Sequence, residues 1–196
     1  YGMSLKFISR EHYRNKTSDD FISELKKEFG DFYLIPEGGT NDLAVKGCEE
    51  LLTDADKGFD IICCSVGTGG TISGLINSAL PHQKIIGFPA LKGDFLSEEI
   101  TKFAKHKNWE LHTNYHFGGY GKVNDTLVEF INTFKTAHDI PLDPIYTGKM
   151  MFGIYDLIEK GYFPKTSKIL AIHTGGLQGI EGMNQRLKQQ NKPLIV

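Results

Sequence analysis

Cysteine is scarce in this chain, and the little there is cannot build a framework. The 196 residues include three cysteines, Cys48, Cys63 and Cys64. The count is odd, no C-x-x-C spacing occurs, and neighbours on a strand point to opposite faces, so Cys63 and Cys64 cannot easily pair. That argues against a disulfide scaffold and a zinc site, and makes a reducing cytoplasm the expected setting. No apolar run approaches the ~20 residues that span a bilayer. No signal peptide is visible, although the chain opens at Tyr1 rather than at Met. A basic stripe is missing too: 22 Lys and Arg are interspersed with 24 Asp and Glu, for a net charge of -2. Neither nucleic acid nor membrane is therefore an expected partner. The seven histidines show no metal-ligand spacing such as H-E-x-x-H. Repeats, low-complexity tracts and Pro/Ser-rich linkers are absent, which bounds the chain to one domain or one domain plus a fragment.

What is present is an ordinary globular composition, 40% hydrophobic and 23% charged, long enough to bury a core without staples. Period-two and helical runs alternate. Leu5–Ile8 predicts a short strand. Thr17 and Ser18 can cap a helix whose residues Phe21, Ile22, Leu25 and Phe29 share a face, and Gly30 stops it. Phe32–Ile35 predicts a strand closed by Pro36. Asn41 caps a helix with Leu43, Ala44, Cys48, Leu51 and Leu52 inward. Ile61–Val66, apolar but for Ser65, suits a central parallel strand covered on both faces. A helix over 71–80, a strand over 84–88, a polar-faced helix over 94–107, helices through Val123–Phe134 and Tyr146–Lys160, a strand over 169–173 and a helix over 179–190 follow. The repeated strand–helix units predict an α/β fold, a doubly wound, mainly parallel sheet with helices on both faces. A soft domain boundary falls near Gly30.

Four glycine-bearing segments lie where strands end: 37–41, 67–71, 118–121 and 173–176. Ligands of an open α/β sheet bind beyond the C-terminal ends of its strands, so their convergence points to an active site. Gly67-Thr68-Gly69-Gly70-Thr71 follows the most buried strand and opens a helix. Its N–H groups, the helix N-terminus and the two threonine hydroxyls can cradle a phosphate monoester without a lysine. A glycine turn that binds nothing needs fewer glycines. A nucleotide pyrophosphate is the rival, but the spacing is not G-x-G-x-x-G and no Walker lysine follows.

These segments resemble a known family. Ser65–Thr71 is similar to the phosphate loop of fold-type II pyridoxal-phosphate (PLP) enzymes. Asp143-Pro144-Ile145-Tyr146-Thr147-Gly148-Lys149, Ile172-His173-Thr174-Gly175-Gly176, Ile35-Pro36-Glu37-Gly38-Gly39-Thr40-Asn41 and the loop Gly118-Gly119-Tyr120-Gly121 resemble, in order, segments of the D-cysteine desulfhydrase/1-aminocyclopropane-1-carboxylate (ACC) deaminase family. The resemblance implies a fold-type II, tryptophan synthase β-like enzyme with pyridoxal 5'-phosphate as cofactor. It implies that Gly67, Thr68, Gly69, Gly70 and Thr71 hold the cofactor phosphate, and that Tyr146 lies against the cofactor ring. Thr147 would sit at the ring nitrogen, and Tyr120 would approach the substrate side. Tyr120 and Tyr146 are thus the candidate catalytic residues. Read without the family, the tyrosines are half-buried packing residues and Thr147 a helix N-cap.

Departures from the family pattern sharpen the expectation. Deaminases carry Glu after the tyrosine and Leu after the histidine, where this chain has Thr147 and Thr174. A neutral hydroxyl leaves the ring a shallower electron sink, which favours β-elimination from D-cysteine or a similar small amino acid, giving keto acid, ammonia and sulfide. The alternatives are ACC deamination and a non-catalytic domain that binds a phosphorylated metabolite. The family's Schiff-base lysine, in an upstream Asn-Lys segment, has no counterpart here. The chain is therefore expected to be truncated at its N-terminus, with residues 1–30 the tail of the small domain, 31–196 most of the PLP-binding domain, and little activity of its own. A homodimer is the expected assembly. Lys149 reads as an ordinary lysine at a helix start, Lys46 and Lys122 as solvated, and His173 as a satisfied structural histidine or an acid/base group.

Overall fold

The most apolar hexapeptide of the chain organises the fold. In the computed structural model, which describes residues 2–35 and 37–196, the chain divides into two compact units, Tyr1–Gly39 and Thr40–Val196. The division falls later than the boundary near Gly30 read from the sequence.

Among the described residues the first unit contains the α-helices α1 (Arg10–Arg14) and α2 (Asp19–Phe29) and a short 3-10 turn at Glu37–Gly39. Ser9 and Ser18 cap α1 and α2, their hydroxyls accepting from the N–H of His12 and Phe21. Gly30 ends α2 at φ +73°, a left-handed conformation that favours glycine. The strands expected at Leu5–Ile8 and Phe32–Ile35 do not form. Alternation makes a strand possible, but a ladder needs a neighbour, and Phe7, Tyr33 and Ile35 stay exposed. Pro36 lies outside the described residues.

In the second unit, α3 (Asp42–Cys48) is capped by Asn41, whose side chain accepts from the Ala44 N–H. Its buried residue is Val45, while Leu43 and Leu51 are exposed, so the inward face is rotated from the one expected. The strand β1 (Ile61–Val66) is buried throughout. It leads into α4 (Gly70–Ser78), β2 (Lys84–Pro89), α5 (Leu96–Thr101) and β3 (Trp109–Leu111). Then come α6 (Asp125–His138), α7 (Thr147–Glu159), β4 (Ile169–Ile172) and α8 (Gly179–Gln189). The four strands are parallel, in the order β3-β2-β1-β4.

The sheet is wound on both faces. Ile62, Cys64 and Val66 pack with Ile72, Leu75 and Ile76 of α4 and Leu96 and Ile100 of α5. Ile61 and Cys63 pack on the other face with Met150, Ile154 and Leu157 of α7. Each such side chain contributes roughly 1.5–3 kcal/mol by leaving water. Cys63 and Cys64 thus serve opposite layers, both free and buried. A further cluster joins α6 and α8 through Leu127, Ile131, Met183 and Leu187.

Two differences from the expected elements have local causes. The helix expected over 94–107 is only α5, because Asn77 of α4 captures the chain beyond it: its side chain donates to the Phe103 carbonyl and accepts from the Lys105 N–H. The three-residue β3 is too short to show a period, and exists by pairing with β2. Among the described residues no helix is long and apolar enough to cross a membrane.

Candidate functional site

The sheet reverses its winding at β1, with β2 on one side and β4 on the other. The crevice beyond such a switch point is where an open α/β sheet takes ligands. Beyond β1 stand Gly67–Thr71. Gly69 is the N-cap of α4, left-handed at φ +97°, and offers no side-chain cap. The first bond of the helix ladder runs from the Ser73 N–H to the Gly69 carbonyl at 3.0 Å. The N–H groups of Gly70, Thr71 and Ile72 therefore precede the ladder and carry the positive end of the helix.

A phosphate fits this geometry, because the loop is trimmed to backbone. A Cβ on Gly70 would stand 2.9 Å from the Thr40 hydroxyl, and one on Gly67 would stand 3.4 Å from the Tyr146 ring. The Thr40 and Thr68 hydroxyls are hydrogen-bonded to each other at 2.7 Å, a polar pair beside the open N–H groups. A Cβ on Gly69 would meet Ile100 of α5 at 3.0 Å, so its lack of a side chain also suits the left-handed turn and the core beneath it.

The two candidate tyrosines come together at this loop. The rings of Tyr120 and Tyr146 lie edge to face, 6.0 Å apart. Burial first, and the neighbouring Tyr120 hydroxyl second, push the Tyr146 hydroxyl up to about 12. Tyr120 itself is 56% exposed.

Thr147 is fully buried, and its hydroxyl is spoken for. It donates to the Asp143 carboxylate at 2.7 Å and accepts from the Asp143 N–H at 2.9 Å. Thr147 is the first residue of α7 rather than its cap. The capping group is Asp143, 2% exposed, whose carboxylate also accepts from the N–H groups of Ile145, Tyr146 and Thr147 at 2.8 Å each. A hydroxyl has one hydrogen and two lone pairs. As placed, Thr147 could accept from a protonated ring nitrogen, but it could donate to an unprotonated one only by leaving Asp143.

The loop after β4 closes over the same carboxylate. A Cβ on Gly176 would stand 3.3 Å from the Asp143 carboxyl carbon. His173 fastens this loop with both ring nitrogens: Nε2 faces the Pro141 carbonyl at 2.9 Å, and Nδ1 accepts from the Gly175 N–H at 3.1 Å. That engagement favours its structural reading over an acid/base role. Lys122 and Lys46 are exposed, as expected. Among the described residues no cluster of metal-ligating side chains occurs.

Two residues of the site had no role in the sequence reading. Asp143 ties together the start of α7, Thr147 and the 173–176 loop; an Asp-Pro pair ahead of a helix was the signal available. Lys149 stands at the start of α7, as expected, but it is 1% exposed, which is not ordinary for a lysine. The signal there was a lone cation on an otherwise small and apolar helical face.

No family model matches the chain. It is 32% identical over 182 residues to a Pyrococcus horikoshii protein provisionally named a 1-aminocyclopropane-1-carboxylate deaminase, a match covering 84% of this chain and 55% of that protein. It is 29% identical over 206 residues to an Arabidopsis thaliana protein named as a bifunctional, mitochondrial D-cysteine desulfhydrase/1-aminocyclopropane-1-carboxylate deaminase, covering 91% of this chain and 51% of that one. Among solved structures it superposes on the crystal structure of an ACC deaminase homologue with a TM-score of 0.78 at 28% identity, over 95% of this chain and 62% of that one. The chain spans little more than half the length of the curated relatives it matches.

Proposed function

We propose, because this chain belongs to the D-cysteine desulfhydrase/ACC deaminase family of fold-type II PLP enzymes, that it supplies the cofactor-phosphate cradle and the tyrosine wall of a lyase acting on a small amino acid. The observation that carries this reading is the open N-terminus of α4 at the switch point of the sheet, walled by Tyr146 and Tyr120. Gly67 to Thr71 would hold the phosphate of pyridoxal 5'-phosphate, with Thr68 beside it. The cofactor, when bound, supplies an electron sink for the bond that breaks at the substrate α-carbon. Tyr146 keeps its hydroxyl proton near neutral pH, so it acts there as a hydrogen-bond donor rather than as a base. Tyr120 orients it and closes the substrate side.

The preferred substrate in this reading is D-cysteine, which β-elimination converts with water to keto acid, ammonia and sulfide. The setting of Thr147 supports that choice over ACC. A glutamate in its place would bring a second carboxylate against the buried Asp143, and like charges in one buried place disfavour each other. The segment 1–39 would be the end of the family's smaller domain. A cytosolic homodimer completes the reading.

The test supplies D-cysteine or ACC to the whole enzyme, meaning this chain joined to the family segment that provides the cofactor-holding lysine. Keto acid from D-cysteine should form at least tenfold faster than from ACC. Faster turnover of ACC would transfer the reading to the deaminase branch. A protein that retains the cofactor yet turns over neither would leave only the phosphate-binding role.

A further inference from the structure

Lys149 spends burial on a task that the chemistry above does not explain. Fully buried lysines are rare, because the ammonium must leave water. Desolvation holds this one down to about 8, against the favourable charge of Asp143. Its Nζ donates to two backbone carbonyls, those of His116 and Gly119, at 2.9 Å each.

Those carbonyls are the ones that close the glycine loop. The His116 carbonyl accepts from the Gly119 N–H at 3.0 Å, and the Gly119 carbonyl accepts from the Lys122 N–H at 3.1 Å. His116 Nδ1 also accepts from the Gly118 N–H. Between them the backbone is left-handed at Phe117, Gly118, Gly119 and Gly121, with φ of 53, 96, 116 and 63°. Four such residues in a stretch of five have many other conformations open to them. One ammonium, shared by both turn-closing carbonyls, selects among these. It is anchored on the first turn of α7, three residues after Tyr146, while the loop it grips presents Tyr120.

We infer that Lys149 is a positioning residue: its buried ammonium locks the 116–121 loop onto α7 and so holds Tyr120 against Tyr146 at the mouth of the cradle. Its effect on turnover rests on the proposed PLP chemistry; its grip on the loop does not.

The experiment compares whole enzyme carrying Lys149→Met, Tyr120→Phe and both, with Lys149→Gln as the variant that keeps a polar head should Met prevent folding. Hydrogen exchange at the amides of residues 117–122 reads the lock directly. The wild type should protect them nearly as well as the first turn of α7, and Lys149→Met, or Gln in its place, should speed their exchange at least tenfold. With D-cysteine, Lys149→Met should lower kcat about tenfold. In the Tyr120→Phe background the same change should cost less than twofold, since the residue it acts through is already altered. Free exchange of the loop in wild type, or equal losses of kcat in both backgrounds, would overturn the inference. A loop that loosens as expected in a protein without turnover would sink the proposed activity and leave the positioning role standing.

Discussion

The two helices that begin at the site start in opposite ways. The N-terminus of α4 has a glycine cap, no side-chain acceptor and N–H groups that precede its ladder. That of α7 is closed from inside by the Asp143 carboxylate, which accepts three N–H groups and the Thr147 hydroxyl. Both carry the same dipole. One meets it with an anion built into the chain, whereas the other leaves it for an anion from outside. On the proposed reading a phosphate would therefore bind at α4 and not at α7, and the wall beside it would depend on α7.

Breaking the closed end should have the largest effect on the fold. Asp143→Ala would leave buried N–H groups of Ile145, Tyr146 and Thr147 without their acceptor, at a cost on the order of 3 kcal/mol. The urea midpoint of the whole enzyme measures it, and a loss under about 1 kcal/mol would mean that water or a neighbour replaces the carboxylate. Closing the open end is the converse experiment. Gly69→Asp gives α4 an internal anion of its own. The left-handed φ of +97° costs about 1–2 kcal/mol for a residue with a Cβ, and the Cβ must displace Ile100. The fold should persist while retention of pyridoxal phosphate on desalting falls at least tenfold. Unchanged retention would place the phosphate elsewhere.

Smaller still is the effect of Thr147→Val. The valine keeps the shape but leaves the Asp143 N–H without its acceptor and removes one of the four donors to the carboxylate. A loss of about 1–2 kcal/mol is expected, with no change in the cofactor's visible spectrum if the hydroxyl serves only Asp143. A shifted spectrum would show instead that Thr147 reaches the ring.

The contrast between the two ends also explains what the sequence could show. The open end was legible, because Gly67, Gly69 and Gly70 after an apolar run have few structural uses in common. The α/β winding was legible for the same reason: Ile61–Val66 is apolar on both faces, and the sheet covers both. The closed end was not. Asp143 accepts from backbone N–H groups up to four residues away, and Lys149 donates to backbone carbonyls some thirty residues away, and neither spacing nor residue type names a particular backbone group as a partner. The failed strands at Leu5–Ile8 and Phe32–Ile35 and the missed β3 share a cause. A strand is a property of a pair, and the second member lies outside the window that a period can read.

The smallest expected effect tests the contact between the two tyrosines. Tyr120 is largely exposed, so Tyr120→Phe should change stability by only about 0.5 kcal/mol near neutral pH. Its signature lies at high pH. Burial and the neighbouring Tyr120 hydroxyl raise Tyr146 from an ordinary 10.0 to about 12. In that window the unfolded chain has lost a proton that the folded chain still holds. The stabilisation is fully present below about pH 10 and is lost as pH rises toward 12. Removing the Tyr120 hydroxyl takes away the second cause and leaves the first, so Tyr146 should come down while staying above its ordinary value. The variant then loses less stability across the window than the wild type does. Tyr115 and Tyr162 are also raised, but they contribute equally to both proteins and cancel in the difference. Urea midpoints of wild type and variant should therefore draw together between pH 9 and pH 11, with tyrosinate absorbance appearing earlier in the variant. A gap that stays constant or widens would mean that Tyr120 does not hold the Tyr146 proton, and the tyrosine wall would have to be redrawn around Tyr146 alone.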